Sequence, residues 1–124
     1  MDISQFEMED SIEFEVILPD GSGSGLFFEI YGQDSEEYKA KERKRINARM
    51  LKRGKREKHE TIEEIEERNF QTLFSALKNV RGAELDGREL ETTEADLKLI
   101  FKYMPYSQGQ LDSKIVDRVL FMKS

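Results

Sequence analysis

The stretch FEVILPDGSGSGLFFEIYG, residues 14–32, decides the fold class of this 124-residue chain. Large apolar residues recur at every second position on both sides of the segment PDGSGSG, which is rich in turn-forming residues. Such alternation is typical of a strand that buries one face, and a glycine-rich turn between two such runs indicates a hairpin. We therefore predict a β-hairpin over residues 12–32, preceded by an acidic N-terminal tail over residues 1–11. The alternating apolar residues are Phe14, Val16 and Leu18 before the turn and Phe28 and Ile30 after it.

Two helices are predicted after the hairpin. Asp34 or Ser35 caps a basic helix within residues 35–58, which has few large apolar residues. The second helix begins after Thr61 and ends before Gly82, because a threonine is a good N-cap and a glycine commonly follows the last helical turn. Its apolar residues fall near the helical period and predict one buried stripe. The stripe comprises Ile62, Ile65, Phe70, Leu73, Phe74 and Leu77.

The remaining segments complete the fold class. AELDGREL, residues 83–90, predicts two short extended pieces around an Asp-Gly turn. A third helix is predicted within residues 92–105, capped by Thr92 or Thr93 and stopped by Pro105, and a fourth within residues 109–124. The prediction is a single α+β domain, with an N-terminal β-hairpin packed on a small bundle of about four helices. The helical part spans residues 61–124, and the candidate core segments are residues 70–77 and 97–104.

Charge is strongly segregated along the chain, which has a formal net charge of −6. Residues 1–37 contain eleven acidic residues and no Lys or Arg, residues 39–58 contain eleven basic residues against two acidic ones, and residues 60–124 carry a net −4. Blocks of opposite sign attract one another within a molecule or between neighbouring copies. The basic block is therefore a candidate contact surface.

No catalytic set is predicted. The chain has no cysteine and a single histidine, His59, so neither a thiolate metal site nor a Ser-His-Asp or Cys-His arrangement is assembled. The carboxylates of residues 60–67 read as the solvated face of a helix. The N-terminus has no apolar segment typical of a signal peptide, and no run is long enough to span a membrane. We expect an intracellular non-enzyme with no cofactor, no metal and no membrane partner.

Two interpretations of the basic block remain open. Lys and Arg neutralise nucleic-acid phosphates, but the block has no aromatic residue after Tyr38 for base stacking, and the sequence pI is about 5.0. We favour a protein contact, with the basic helix partly mobile in the isolated protein. The candidate contact residues in the block are Arg43, Lys44, Arg45, Arg49, Lys52 and Arg53, and those in the C-terminal part are Tyr106, Leu111, Ile115 and Phe121.

The order of segments resembles the tail assembly chaperones of long-tailed phages, over roughly residues 13–123. The strand and turn FEVILPDG precede a second strand, LFFEIYG, and then a basic helix, DSEEYKAKERKRINARMLKRGKR. FSALKNVRGAELDGREL is similar to the helix, glycine and Asp-Gly turn of that family. LKLIFKYMPYSQGQLDSKIVDRVLFMK resembles its helix break and closing helix. The family often has a Trp near the position of Arg81 to Ala83, and this chain has none.

The resemblance implies a non-enzymatic role. Such proteins bind and solubilise the long tape measure protein, help to recruit tail tube subunits around it, and leave before the virion matures. This implies a location in the host cytoplasm, with self-association into open oligomers as a further expectation. Two other functions stay open: a structural virion protein of the tail or head–tail junction, and a small nucleic-acid-binding regulator that uses residues 39–58.

Overall fold

A three-stranded antiparallel sheet and the helices that cover one of its faces make up the fold. The computed structural model describes residues 1–53 and 60–123, without the side chains of Lys52 and Arg53. The order of strands in the sheet is β1-β2-β3, and β4 and β5 form a separate two-stranded ladder. The elements are β1 (Ser11–Ile17), β2 (Gly23–Tyr31), α1 (Glu36–Arg53), α2 (Ile62–Ala76), β3 (Leu77–Arg81), β4 (Glu84–Leu85), β5 (Arg88–Glu89), α3 (Glu94–Tyr103) and α4 (Tyr106–Ile115), with 3₁₀ helices at Ile3–Phe6 and Arg118–Phe121.

The predicted hairpin is confirmed, and with it the α+β class. Phe14 lies opposite Phe28 across β1 and β2, and their rings meet edge to face with centroids 5.8 Å apart. The turn is shorter than the predicted segment. The Gly21 N–H donates to the Leu18 carbonyl at 2.8 Å, and the Asp20 carboxylate accepts from the Ser22 N–H at 2.9 Å. The chain is therefore already extended again at residue 23, where β2 begins.

The second predicted helix is too long. α2 ends at Ala76, and the next residues form β3 without an intervening loop, so the predicted helical part, residues 61–124, also contains three short strands. β3 pairs with the outer edge of β2, with Phe28 opposite Val80 and Ile30 opposite Leu77. This pairing satisfies backbone groups of β2 that would otherwise remain open, which a continued helix would not do.

The core lies between the sheet and the helices α2, α3 and α4. Val16, Phe28 and Ile30 are completely buried on the inner face of the sheet. Phe70 of α2 contacts Phe101 of α3 edge to face at 6.1 Å, which joins two of the covering helices. Core residues occur within both predicted core segments, which confirms these segments as sources of the core. They are Phe70, Leu73, Ala76 and Leu77 from the first, and Leu97 and Ile100 from the second.

The hairpin of β4 and β5 is anchored to α3 through a buried carboxylate. Asp86 and Gly87 both have positive φ angles, as the predicted Asp-Gly turn requires. The Asp96 carboxylate accepts from the Arg88 guanidinium at 2.8 and 3.1 Å and from the Glu91 N–H at 2.7 Å. These bonds, Arg88 first, hold the pKa of Asp96 below its usual value. Thr93 is the N-cap of α3, because its hydroxyl accepts from the Asp96 N–H.

The predicted fourth helix has different bounds. α4 begins at Tyr106, directly after Pro105, and ends at Ile115, and the residues that follow form a 3₁₀ helix. The side-chain amide of Gln110 makes two hydrogen bonds of 2.8 Å with the backbone of Ile17, one to its N–H and one to its carbonyl. Gln110 thus satisfies part of the free edge of β1 and ties α4 to the sheet.

The acidic N-terminal segment, residues 1–11, is attached to residues near the other end of the described chain. Met8 forms a β-bridge with Met122, and the Glu9 N–H donates to the Phe121 carbonyl. The ring of Phe121 packs against Gly32, where an added Cβ would lie only 3.1 Å from it. The two ends of the described chain are therefore held together beside the start of α1.

Replacing Gly82 by Ala should destabilise the fold strongly. Gly82 has a φ of +87°, and a Cβ at this position would collide with the backbone carbonyl of Gly25 where β3 leaves β2. We expect the free energy of unfolding to fall by roughly 3 kcal/mol or more, measured by urea denaturation. Gly87→Ala is the matched control, because Gly87 has a φ of +80° in open space. Its cost should be about 1 kcal/mol, and an equal cost for both would contradict the steric argument.

Acid should weaken the fold partly through Asp96. Because its pKa is lower in the folded than in the unfolded protein, its contribution is fully present above the unfolded value and is lost as the pH falls through the folded value. We expect the difference in unfolding free energy between the wild type and Asp96→Asn to shrink as the pH is lowered below 3.8, the ordinary pKa of an aspartate. Arg88→Gln should reproduce part of this change. If the difference in unfolding free energy does not change with pH, Asp96 stabilises the fold through its shape and not through its charge.

Candidate protein-contact surface

Helix α1 is attached to α2 by polar side chains. Arg45 binds the Glu42 carboxylate at 2.7 and 3.1 Å and donates to the Thr72 hydroxyl of α2 at 3.1 Å. The Tyr38 hydroxyl donates to Glu42 at 3.3 Å, and burial followed by the Glu42 charge raises the pKa of Tyr38 to about 12. None of residues 36–51 is buried, so α1 adds little to the core. Its place on the body depends mainly on these polar contacts.

A second set of contacts continues this attachment towards the far end of α1. Arg49 pairs with Glu60, and the same carboxylate binds Arg68 of α2, with N–O distances of 2.6 and 2.8 Å. The residues Glu42, Arg45, Arg49, Glu60, Arg68 and Thr72 together form what we call the polar seam. Residues 42, 45 and 49 are spaced at i, i+3 and i+7, which places them on one side of α1. The seam therefore defines which side of α1 faces the body.

The seam changes the interpretation of the candidate basic residues. Arg45 and Arg49 face α2 and are used inside the molecule, so their assignment to an external partner is corrected. Arg43 and Lys44 are exposed, and Arg43 lies 3.7 Å from an exposed carboxylate of Glu36. The side chains of Lys52 and Arg53, together with residues 54–59, lie outside the described part of the chain. The contact predicted for Lys52 and Arg53 and the exposed position predicted for His59 therefore also lie outside the described residues.

The apolar candidates in the C-terminal part are core residues. Leu111, Ile115 and Phe121 are 0%, 3% and 3% exposed, and Tyr106 is half-buried against the same core. A partner cannot reach the first three without displacing α4 or the second 3₁₀ helix. Their assignment as a contact surface is therefore corrected: they hold α4 and the chain end onto the sheet.

An exposed apolar surface lies instead at the end of the α1–α2 pair. Leu51 is 82% and Ile62 71% exposed, and Met50 and Ile65 are exposed as well. The Arg49–Glu60 pair brings the end of α1 beside the start of α2, so these four residues lie at the same end of the pair. We call Met50, Leu51, Ile62 and Ile65 the apolar tip. The sequence predicted Ile62 and Ile65 to be buried, which is wrong, because the core begins only at Phe70.

A groove with an acidic rim lies on another side of α2. It has a volume of about 470 Å³ between α2, α3 and α4, and Glu63, Glu66 and Glu67 come from its α2 wall. Phe70 and Phe101 supply apolar surface to it. A neighbouring depression of about 470 Å³ shares Asn69 and Gln108 with this groove, extends it along α2, and adds a further carboxylate, that of Asp112. The depression also reaches Thr72 of the polar seam, so we call only the first groove, which is bordered by Glu63, Glu66 and Glu67, the acidic groove.

The charges of the groove are only partly balanced. The Lys98 ammonium lies 3.4 Å from the Glu67 carboxylate and 4.8 Å from the ring centroid of Phe70. Hydrogen bonds from Gln71 and then Lys98 lower the pKa of Glu67. Among the residues that the structure describes, Glu63 and Glu66 have no ion-pair partner. The groove thus presents net negative charge beside aromatic surface, a combination that suits a basic amphipathic helix.

A metal-binding cluster and a membrane-spanning helix are both absent from the part of the chain that the structure describes. Within residues 1–53 and 60–123, no three His, Cys, Asp or Glu side chains are arranged to hold a metal ion. None of the helices in this described portion is long and apolar enough to cross a membrane. Perturbed carboxylates such as Glu13 and Asp34 are each explained by one arginine, Arg81 and Arg118 respectively. The notable surfaces are therefore the apolar tip and the acidic groove, both suited to binding protein.

Comparison with known proteins adds no relative. The chain matches no protein-family model, no curated protein and no solved structure. Its function must therefore be argued from its own surfaces.

Removing the Arg45 side chain should loosen α1 without unfolding the body. Arg45→Ala removes the bonds to Glu42 and Thr72, and α1 has no buried apolar residue among residues 36–51 to compensate. We expect the amides of α1 to exchange hydrogen roughly tenfold faster, while those of β2 are unchanged, measured by hydrogen–deuterium exchange. Lys44→Ala, an exposed neighbour, is the control and should change neither. Equal acceleration in α1 and β2 would mean that the seam supports the whole fold.

Proposed function

We propose that this protein is a non-enzymatic tail assembly chaperone, which binds and solubilises a tape measure protein and helps to recruit tail tube subunits. The observation that carries the proposal is the apolar tip, four exposed large apolar side chains at one end of the α1–α2 pair. Exposed apolar residues grouped in this way mark sites of protein interaction. The order of segments, which resembles the chaperone family, supports the same function.

The chemistry of the client fits such a surface. A tape measure protein is a long, largely helical chain with apolar stripes that water does not tolerate. A small protein with an apolar tip and a charged exterior can cover one section of a stripe and keep the complex soluble. Many copies are needed along one client, and they act in the host cytoplasm and leave before the virion is complete.

A nucleic-acid-binding function receives less support. Glu42 and Glu60 neutralise Arg45 and Arg49, which leaves fewer free cations on α1 than the sequence suggests. A structural virion protein is the other alternative, and it differs from the chaperone in remaining in the particle.

The apolar tip can be tested by co-expression with the tagged tape measure protein of the same genome. We expect the wild type to keep the client soluble and to co-purify with it. Leu51→Asp combined with Ile62→Asp should leave the client insoluble, because two carboxylates would have to be desolvated at the contact. Both residues are exposed, so the unfolding free energy of the variant should change by no more than about 1 kcal/mol.

The matched control adds the same charge elsewhere on α1. Ala40 and Ala48 are exposed, and Ala40→Asp with Ala48→Asp should leave client solubilisation intact. If the tip variant solubilises the client as well as the control does, the apolar tip is not the client surface. If the wild type fails and the protein is found in purified virions, the chaperone function is overturned in favour of a virion component.

A further inference from the structure

One flank of α1, beside the polar seam, carries a strip that is complementary to the acidic groove in charge. Lys39, Arg43 and Ile46 are spaced at i, i+4 and i+7, which places them on one line along the helix. All three are exposed, and the line is separate from the polar seam. We call these three residues the basic strip. It presents two cations and one apolar side chain over about two helical turns.

The acidic groove has the complementary features in a similar length. Glu63 and Glu66 supply two carboxylates on neighbouring turns of α2, and the partly exposed ring of Phe101 supplies apolar surface beside them. Ile46 is about half exposed in the isolated chain, and aromatic rings are a suitable surface to bury it. Charge complementarity over an apolar contact gives both orientation and affinity.

One copy cannot join these two surfaces. The polar seam fixes α1 against Arg68 and Thr72, whereas the groove is bordered by Glu63, Glu66 and Glu67 on another side of α2. For the basic strip to enter its own groove, the seam would have to break and α1 would have to move around α2. A second copy can offer its strip with the seam intact.

We propose that the acidic groove of one copy binds the basic strip of a second copy of this chain. Lys39 and Arg43 of the second copy face Glu63 and Glu66, and Ile46 packs on the partly exposed ring of Phe101. The contact joins two different surfaces, so each copy retains one free groove or one free strip after the first contact. Repetition of such a head-to-tail contact produces an open array, or a ring if the rotation closes.

This assembly does not depend on the tape measure protein. The strip and the groove include none of the four residues of the apolar tip, and the contact between copies requires no client. The self-association and the proposed chaperone function can therefore fail separately. The experiment below contains no client.

The test uses two charge-reversed variants and sedimentation velocity. Lys39→Glu with Arg43→Glu reverses the strip, and Glu63→Lys with Glu66→Lys reverses the groove. We expect the wild type to associate with rising concentration and to dissociate when the salt is raised from about 50 mM to about 500 mM, because screening weakens the contact. Each variant alone should associate at least about tenfold more weakly. An equimolar mixture should associate again, because each reversed surface then finds an opposite one.

Lys44→Glu with Lys102→Glu is the matched control. Both lysines are exposed and outside the strip and the groove, and this pair changes the net charge by the same amount as the strip variant. It should associate like the wild type. A wild type that stays monomeric at every concentration, or a mixture that does not recover, would overturn the proposal. An equal loss of association in the control variant would also overturn the proposal, because it would show that net charge alone weakens the association.

Engineered cysteines test the direction of the contact. The chain has no cysteine of its own, so Ile46→Cys in the strip and Asn69→Cys in the groove can each be introduced singly. Under mild oxidation, the mixture of the two variants should form a cross-linked dimer at least about tenfold faster than either variant alone, because only the mixture places the two thiols together. Faster cross-linking of Ile46→Cys with itself would indicate a symmetric contact between two α1 helices and would contradict the assignment.

Discussion

The fold depends on covering one face of a small sheet. β2 contributes three fully or almost fully buried side chains, Leu26, Phe28 and Ile30, and the aliphatic and aromatic surface they carry is stable only under α2, α3 and α4. The other features follow from this requirement. β3 borders β2 on one side, Gln110 satisfies part of the free edge of β1 on the other, and the chain end closes over Gly32 through Phe121. β3, Gln110 and Phe121 thus each border the same buried face of the sheet.

A second level of organisation lies outside this core. α1 is joined to the body by ion pairs and hydrogen bonds and by one partly buried ring, that of Tyr38, and the polar contacts weaken with salt when they are partly exposed. The protein therefore combines a body stabilised by hydrophobic burial with a helix that can be released at modest cost. The apolar tip and the basic strip both lie on this helix or next to it. The surfaces best suited to partners are thus placed where the protein itself is least constrained.

The sequence predicted most of the elements and few of the surfaces. The hairpin followed from alternation around PDGSGSG, and the caps of α2 and α3 from Thr61 and Thr93, because these signals are local. β3 was missed because Leu73, Leu77 and Val80 also fit helical spacing, and the change to a strand is decided by pairing with distant β2. The prediction of Leu111, Ile115 and Phe121 as contact residues was wrong for a related reason. An apolar stripe shows that one side of a helix prefers burial, but only the tertiary structure shows that Ile62 stays in water while Leu111 does not.

The direct passage from α2 into β3 has a mechanical consequence. With no loop residue between Ala76 and Leu77, α2 cannot rotate or slide without pulling on the ladder between β3 and β2. The C-terminal end of α2 is therefore fixed in the sheet, and its N-terminal end carries Ile62 and Glu63 beside the polar seam. A load applied to that end is transmitted to the most buried strand of the protein rather than absorbed by a hinge.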